Sequence, residues 1–192
     1  MKSLPGLCLL VAALFSTGLG ATETAPADED GLQIGQQAPA FSLHDQNGKE
    51  VSLAALLKNG PVALVFFRSA DWCLACEFQW VKLQAHVKEI EASGGHLVGI
   101  SYDSAKTLKC FADKQAIAIP ILSDIGSKTI DAYHVRDTDP ARARNGVARH
   151  IIFVVDQKGV VRSKRFGVIY DEQSGVDALV KALKDAQNVN GG

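Results

Sequence analysis

Three stretches of the chain are apolar almost without interruption: PVALVFFR (Pro61 to Arg68), HLVGISYD (His96 to Asp103) and HIIFVVD (His150 to Asp156). Short runs of this kind, rich in β-branched and aromatic residues, predict strands buried on both faces. GVVRSKRF, after a turn at Gln157 to Gly159, predicts the second strand of a hairpin. The spacing changes between these runs. Cys73 to Ala92 places Phe78, Val81, Leu83, Val87 and Ile90 among charged residues and predicts a helix that ends at Gly94-Gly95. Ser104 to Gln115 predicts a helix with Ser104 as N-cap and Leu108, Phe111 and Ala112 on one face. A shorter helix is expected over Ile125 to Tyr133, and a last one over Ser174 to Ala186 with Val176, Leu179, Val180 and Leu183 inward. Upstream, AFSLHDQNGKEVSL sets Asn47-Gly48 between two short alternating runs, a hairpin signal. The order strand–helix–strand–helix–strand–strand–helix, preceded by a small β-element, predicts one α/β domain with crossover connections.

The chain before this pattern differs in kind. MKSLPGLCLLVAALFSTGLGAT has Lys2 near its start, an apolar run from Leu7 to Phe15, and small residues from Gly18 to Ala21. That order is expected of a secretory signal over residues 1–20, with the alternative of an uncleaved anchor. The apolar run is short of the ~20 residues of a spanning helix. Residues 21–33, acidic and containing Pro26, read as a solvated linker, 34–187 as the domain and 188–192 as a tail. The expected location is therefore the periplasm or the exterior. Formal net charge is −1 over 192 residues. Mixed charge excludes a nucleic-acid-binding face, and the basic stretch RARNGVAR (Arg142 to Arg149) reads as a solvated loop.

Of four cysteines, Cys8 falls in the signal, leaving Cys73, Cys76 and Cys110. Cys73 and Cys76 stand in Trp72-Cys-x-x-Cys, at the seam between a predicted strand and a predicted helix. Three chemistries compete for such a pair. A structural zinc needs four ligands, and His44, His86, His96, His134 and His150 show no tight pairing with a second Cys-x-x-Cys, so no metal is expected. A structural staple across so short a loop removes little chain entropy. Electron exchange suits the position: a helix N-terminus favours negative charge and depresses a thiol pKa, and the thiolate is the reactive form. Cys73, nearest the helix start, is then the nucleophile, and Cys76, one turn on, resolves a mixed disulfide or sulfenic acid formed on it.

From about Gly35 to Leu183 the chain resembles the alkyl hydroperoxide reductase/thiol-specific antioxidant family, the peroxiredoxin-like redoxins of the thioredoxin-fold superfamily. IGQQAPAFSLHDQNGKEVSL resembles the family's entry segment, PVALVFFRSADWCLAC its strand and active-site turn, LVGISYDS with FADKQAIAIPILSD and AYHV its next strand, helix and Pro-Ile-Leu-Ser-Asp segment, and FVVDQKGVVR its final hairpin. The resemblance implies a thioredoxin-like fold, a central mixed β-sheet flanked by helices with an N-terminal β-hairpin extension. It implies an oxidoreductase with no dissociable cofactor. The chain departs from the family's Pro-x-x-x-Thr-x-x-Cys, with Phe66 and Ala70 in the Pro and Thr slots before Cys73; Ser69, one residue off, is the candidate replacement for the Thr hydroxyl. His150 occupies the slot where thioredoxin-like reductases carry a cis-proline and peroxiredoxins often an Arg; Arg149 precedes it.

These features lead to an expected exported thiol-disulfide oxidoreductase with antioxidant-type chemistry. The alternatives are a thiol peroxidase reducing hydroperoxides through Cys73 and a binding module without turnover. Expected partners are a thiol protein as electron donor or acceptor and a peroxide or protein-disulfide substrate, with no nucleic acid, no membrane beyond the export signal, and a homodimer as one arrangement. Around the pair, Arg68 is a candidate to favour the thiolate or bind an oxyanion, Asp71 to cap the helix or lie at the surface, and Trp72 to pack half-exposed beside the site. His150 is a candidate to act on thiol protonation. Cys110, opposite the apolar face of its helix, is expected to be exposed and is a candidate resolving thiol.

Overall fold

The computed structural model describes residues 31–139, 146–169 and 172–189. The expected signal, residues 21–30 of the linker, the first half of the basic loop (142–145) and the end of the tail (190–192) lie outside the described residues. The elements run β1 (Ser42–Asp45), β2 (Glu50–Ser52), α1 (Leu53–Leu57), β3 (Val62–Phe66), α2 (Leu74–Ala85), α3 (Val87–Ala92), β4 (His96–Ser101), α4 (Ala105–Gln115), β5 (Ile121–Ser123), α5 (Lys128–Ala132), β6 (Ile151–Val155), β7 (Val161–Phe166) and α6 (Glu172–Asn188). They build one seven-stranded mixed sheet in the order β2-β1-β5-β4-β3-β6-β7. β3, β4 and β5 are parallel, and β1, β2, β6 and β7 pair antiparallel. The sheet carries helices on both faces, the thioredoxin-like architecture that the resemblance implies.

β3 is buried at every position, as its uninterrupted apolar run predicts. Its side chains alternate between two cores. Ala63, Val65 and Phe67 join Trp80, Leu83, Leu108, Phe111 and Leu183 on one face, and Val62, Leu64 and Phe66 join Ile130, Tyr133 and Phe153 on the other. Both hairpins are fastened by an aspartate. Asp45 Oδ1 accepts the backbone N–H of Asn47 (2.8 Å) and Lys49 (2.9 Å), and Gly48 takes φ +80. Asp156 Oδ1 accepts those of Lys158 and Val160 (both 2.9 Å), and Gly159 takes φ +80. Glycine adopts this left-handed conformation without a Cβ penalty. Ser104 caps α4, its Oγ accepting the Thr107 N–H at 3.1 Å.

Several expectations are corrected. β5 and α1, three and five residues long, span too few repeats for a hydrophobic pattern to single them out, and the sequence reading does not include them. The helix expected over Cys73 to Ala92 is two helices. His86 leaves helical geometry, and its Nδ1 lies 3.1 Å from Glu89 Oε2 in the first turn of α3. The inward face of α2 is Cys76, Gln79, Trp80 and Leu83, whereas Phe78 and Val81 are 66% and 43% exposed. Trp80 decides the orientation. Its ring meets Phe67 edge-on at 5.3 Å and lies over Gly99 of β4, leaving the stripe through Phe78 to solvent.

A Cβ built on Gly99 would stand 2.5 Å from Trp80 Cζ2. Relief of glycine's entropy cost in a strand gives back about 0.5–1 kcal/mol, while overpacking a filled core costs about 1–3 kcal/mol. Gly99→Ala is therefore expected to destabilise the protein by ~1–2 kcal/mol in urea unfolding; a neutral or stabilising result would refute this account of how Trp80 sets the helix.

Candidate active site

β3 ends at Phe66, and the chain crosses a turn before α2 begins at Leu74. The turn is held by Asp103, two residues past β4. Asp103 Oδ1 accepts the Ser69 hydroxyl (3.0 Å), and Oδ2 accepts the Ala70 N–H (2.7 Å) and the Ser101 hydroxyl (2.8 Å). Ser69 Oγ in turn accepts the Asp71 N–H at 3.0 Å. Asp103 and Ser69 are buried. A carboxylate is tolerated there because donors replace water.

Cys73 is the N-cap of α2, and its carbonyl accepts the N–H groups of Cys76 (2.9 Å) and Glu77 (3.1 Å). Cys73 and Cys76 form a disulfide, with Cα atoms 5.3 Å apart. The two sulfurs are not equivalent. Cys76 is fully buried, and Cys73 is partly exposed at the helix N-terminus. There the free first-turn N–H groups favour negative charge.

His150 closes the site from the other side of β3. β6 runs antiparallel to β3, with Ile151 opposite Phe66. The residue before β6 therefore arrives where β3 gives way to the cysteine turn. His150 Nε2 lies 3.0 Å from Cys76 Sγ and 3.9 Å from Cys73 Sγ. Burial, and secondarily the charge of Arg68, lower its pKa from 6.5 to about 4, so the imidazole is neutral at neutral pH. Arg68 stacks over the Trp72 ring at 5.0 Å, and Trp72 Nε1 donates to the Tyr102 hydroxyl at 3.1 Å.

The structure thus brings Cys73, Cys76, His150, Arg68 and Trp72 together. Other candidates are corrected. Ser69 does not stand in for the missing Thr, because its hydroxyl is buried and engaged by Asp103 and the Asp71 N–H. Of the two roles expected of Asp71 the surface one holds, since it is exposed, and it does not cap α2, whose N-cap lies two residues later. Arg149 is tied to the turn after α5, donating from Nη2 to the His134 carbonyl at 2.9 Å, and the cysteines are faced by its neighbour. Cys110 is exposed on α4 as expected, a free thiol, and the partner of Cys73 is Cys76. Asp103 was missed. The signal was there: Ser101-x-Asp103 closing a buried strand beside the turn.

Residues 34–164 match the profile of the AhpC/TSA family. The chain belongs to that family. Among its relatives, the chloroplastic peroxiredoxin Q of Populus jackii is 34% identical over 154 residues, covering 78% of this chain and 67% of the relative. The alkyl hydroperoxide reductase E of Mycobacterium tuberculosis is 31% identical over 153 residues, covering 77% and 96%. The fold matches the Mycobacterium tuberculosis peroxidoxin BcpB, with TM-score 0.70 at 24% identity over 80% of this chain and 97% of that one. It also matches Xanthomonas campestris peroxiredoxin Q, with TM-score 0.66 at 23% identity over 76% and 90%. As a family member the protein is an oxidoreductase acting on peroxides or disulfides through redox-active cysteines.

Removing the Asp103 carboxylate strands three donors, two of them on the cysteine turn. Asp103→Ala is expected to cost about 2–4 kcal/mol in urea unfolding, and a loss below ~1 kcal/mol would show that the turn holds itself. His150 sets a pH dependence. Its folded pKa, about 4, lies below the ordinary 6.5, so the unfolded chain takes up the proton first. The stability is complete above pH 6.5 and declines as pH falls toward 4, by up to ~3 kcal/mol. His150→Gln is expected to flatten this segment of a stability–pH curve; an unchanged slope would show that another group carries it.

Proposed function

We propose that the protein is a thiol peroxidase in which Cys73 attacks a hydroperoxide and Cys76 resolves the product. The observation that carries this reading is the asymmetry of the pair: an accessible sulfur at a helix N-terminus bonded to a buried one against a neutral imidazole. The relatives named peroxiredoxin Q and alkyl hydroperoxide reductase support the choice of peroxide as oxidant. The Cys73 thiolate displaces the alcohol or water from the O–O bond, leaving a sulfenic acid. Cys76 attacks that sulfur, expels water and forms the disulfide. Two electrons and two protons from a partner dithiol restore both thiols. His150 beside Cys76 is suited to accept its proton during resolution.

The donor is a thiol protein. Leu74 and Phe78, 71% and 66% exposed, continue from Cys73 along the outer face of α2 and offer an apolar landing surface. The order of Lys2, the apolar run and the small residues to Ala21 supports export, so the donor would be an extracytoplasmic dithiol.

Protein-disulfide exchange is the second reading, favoured by the engagement of Ser69 and the absence of a hydroxyl at Ala70. Stopped-flow oxidation of the reduced protein by hydrogen peroxide separates the two. The expected result is oxidation far faster than that of a free cysteine, lost in Cys73→Ser, with a dimedone-trappable sulfenic acid accumulating in Cys76→Ser. Oxidation no faster than a free cysteine would transfer the site to disulfide exchange. Full redox activity in Cys73→Ser would remove both readings.

A further inference from the structure

Cys73 Sγ, Cys76 Sγ and His150 Nε2 lie within 4.8 Å of one another. Among the described residues this is the one cluster of three or more His, Cys, Asp or Glu side chains whose donor atoms converge in this way. The two cysteines alone, as read from the sequence, fall short of a metal site; the antiparallel register of β6 supplies the third donor from 74 residues beyond Cys76. We propose that the reduced site binds a soft monovalent cation, Cu(I), through the two thiolates and the imidazole.

The geometry fits with little movement. Donors ~2.0–2.3 Å from one cation stand about 3.5–4 Å apart. His150 Nε2 is already 3.9 Å from Cys73 Sγ and 3.0 Å from Cys76 Sγ, and reduction frees the sulfurs to part. Two thiolates and one imidazole suit Cu(I) in softness and number. Charge selects against a divalent ion. Two thiolates with Cu(I) carry a net −1, which Arg68 offsets, since its charge acts on His150. Zinc would make the centre neutral beside that guanidinium, and it favours four ligands, whereas no fourth His, Cys, Asp or Glu among the described residues joins the cluster. The burial of Cys76 shields the inner side of the centre from water, and Cys73 leaves the outer side open for the ion to enter. Binding takes the place of whatever protons the two sulfurs still carry, which leave to solvent, and involves no change of oxidation state. The disulfide form cannot bind, so occupancy follows the redox state of the pair.

The inference does not rest on the peroxidase reading, because binding is measured without peroxide. The dithiothreitol-reduced, desalted protein is titrated anaerobically with Cu(I), supplied as its acetonitrile complex, against the chromophoric chelator bicinchoninate. One equivalent should be withheld from the chelator, with a first shell of two sulfurs and one nitrogen in X-ray absorption. Cys73→Ser and Cys76→Ser should lose it, Cys110→Ser should keep it, and His150→Ala should weaken it by roughly tenfold or more. Complete loss of copper to the chelator, a sulfur-only shell, or tighter retention of Zn(II) than of Cu(I) would overturn the proposal. The wild-type absorption spectrum decides the imidazole's role even if His150→Ala proves unfolded by circular dichroism.

Discussion

A single buried carboxylate holds the working end of this sheet in place. Three parallel strands stop at the same edge, and each leaves backbone and hydroxyl groups there that need partners. Asp103 collects them. Its oxygens take donors from the turn after β3 and from the end of β4, while its own carbonyl accepts the Ser123 hydroxyl at the end of β5 (2.7 Å). A charge so placed is tolerated only while every donor stays. The strand ends are thereby locked to one another, and α2 starts from a fixed point.

That fixed point makes two chemically identical side chains different. Two residues separate Cys73, the N-cap of α2, from Cys76, enough to turn one sulfur toward solvent at the helix mouth and the other into the core with Trp80 and Leu83. The imidazole arrives from the opposite direction and sits closer to the buried sulfur. The site is therefore directional: reagents meet Cys73, and what happens at Cys76 is governed by protein groups.

Much of this was legible in the sequence, and the gaps have physical causes. The three apolar runs became central strands because a strand covered on both faces has no polar face to show. Ser104 announced α4 because an N-cap is a local device. Which face Phe78 takes was not legible, because hydrophobicity alone does not choose between two stripes of a helix; the close fit of Trp80 on Gly99 does, and that contact spans the fold. Asp103 enters the sequence only as the end of an apolar run, and its importance depends on Ser69 and Ala70, far away in the chain. His150 was reached through family resemblance. Its distance from Cys76 depends on strand pairing, which composition and spacing do not reveal.

The placement of His150 by pairing has an evolutionary consequence. Position 150 is delivered to the sulfurs by the ladder between β3 and β6 rather than by any property of its own side chain. The backbone there behaves as a socket: one codon change exchanges the group facing the disulfide while the flanking Ile151 and Ile152 keep the strand seated in its two cores. A slip of one residue would be far more disruptive, since it would exchange the two faces of β6. Substitution at this position is thus a cheap route by which one scaffold diversifies its sulfur chemistry, and length changes in the preceding loop are tolerated only if they preserve the pairing.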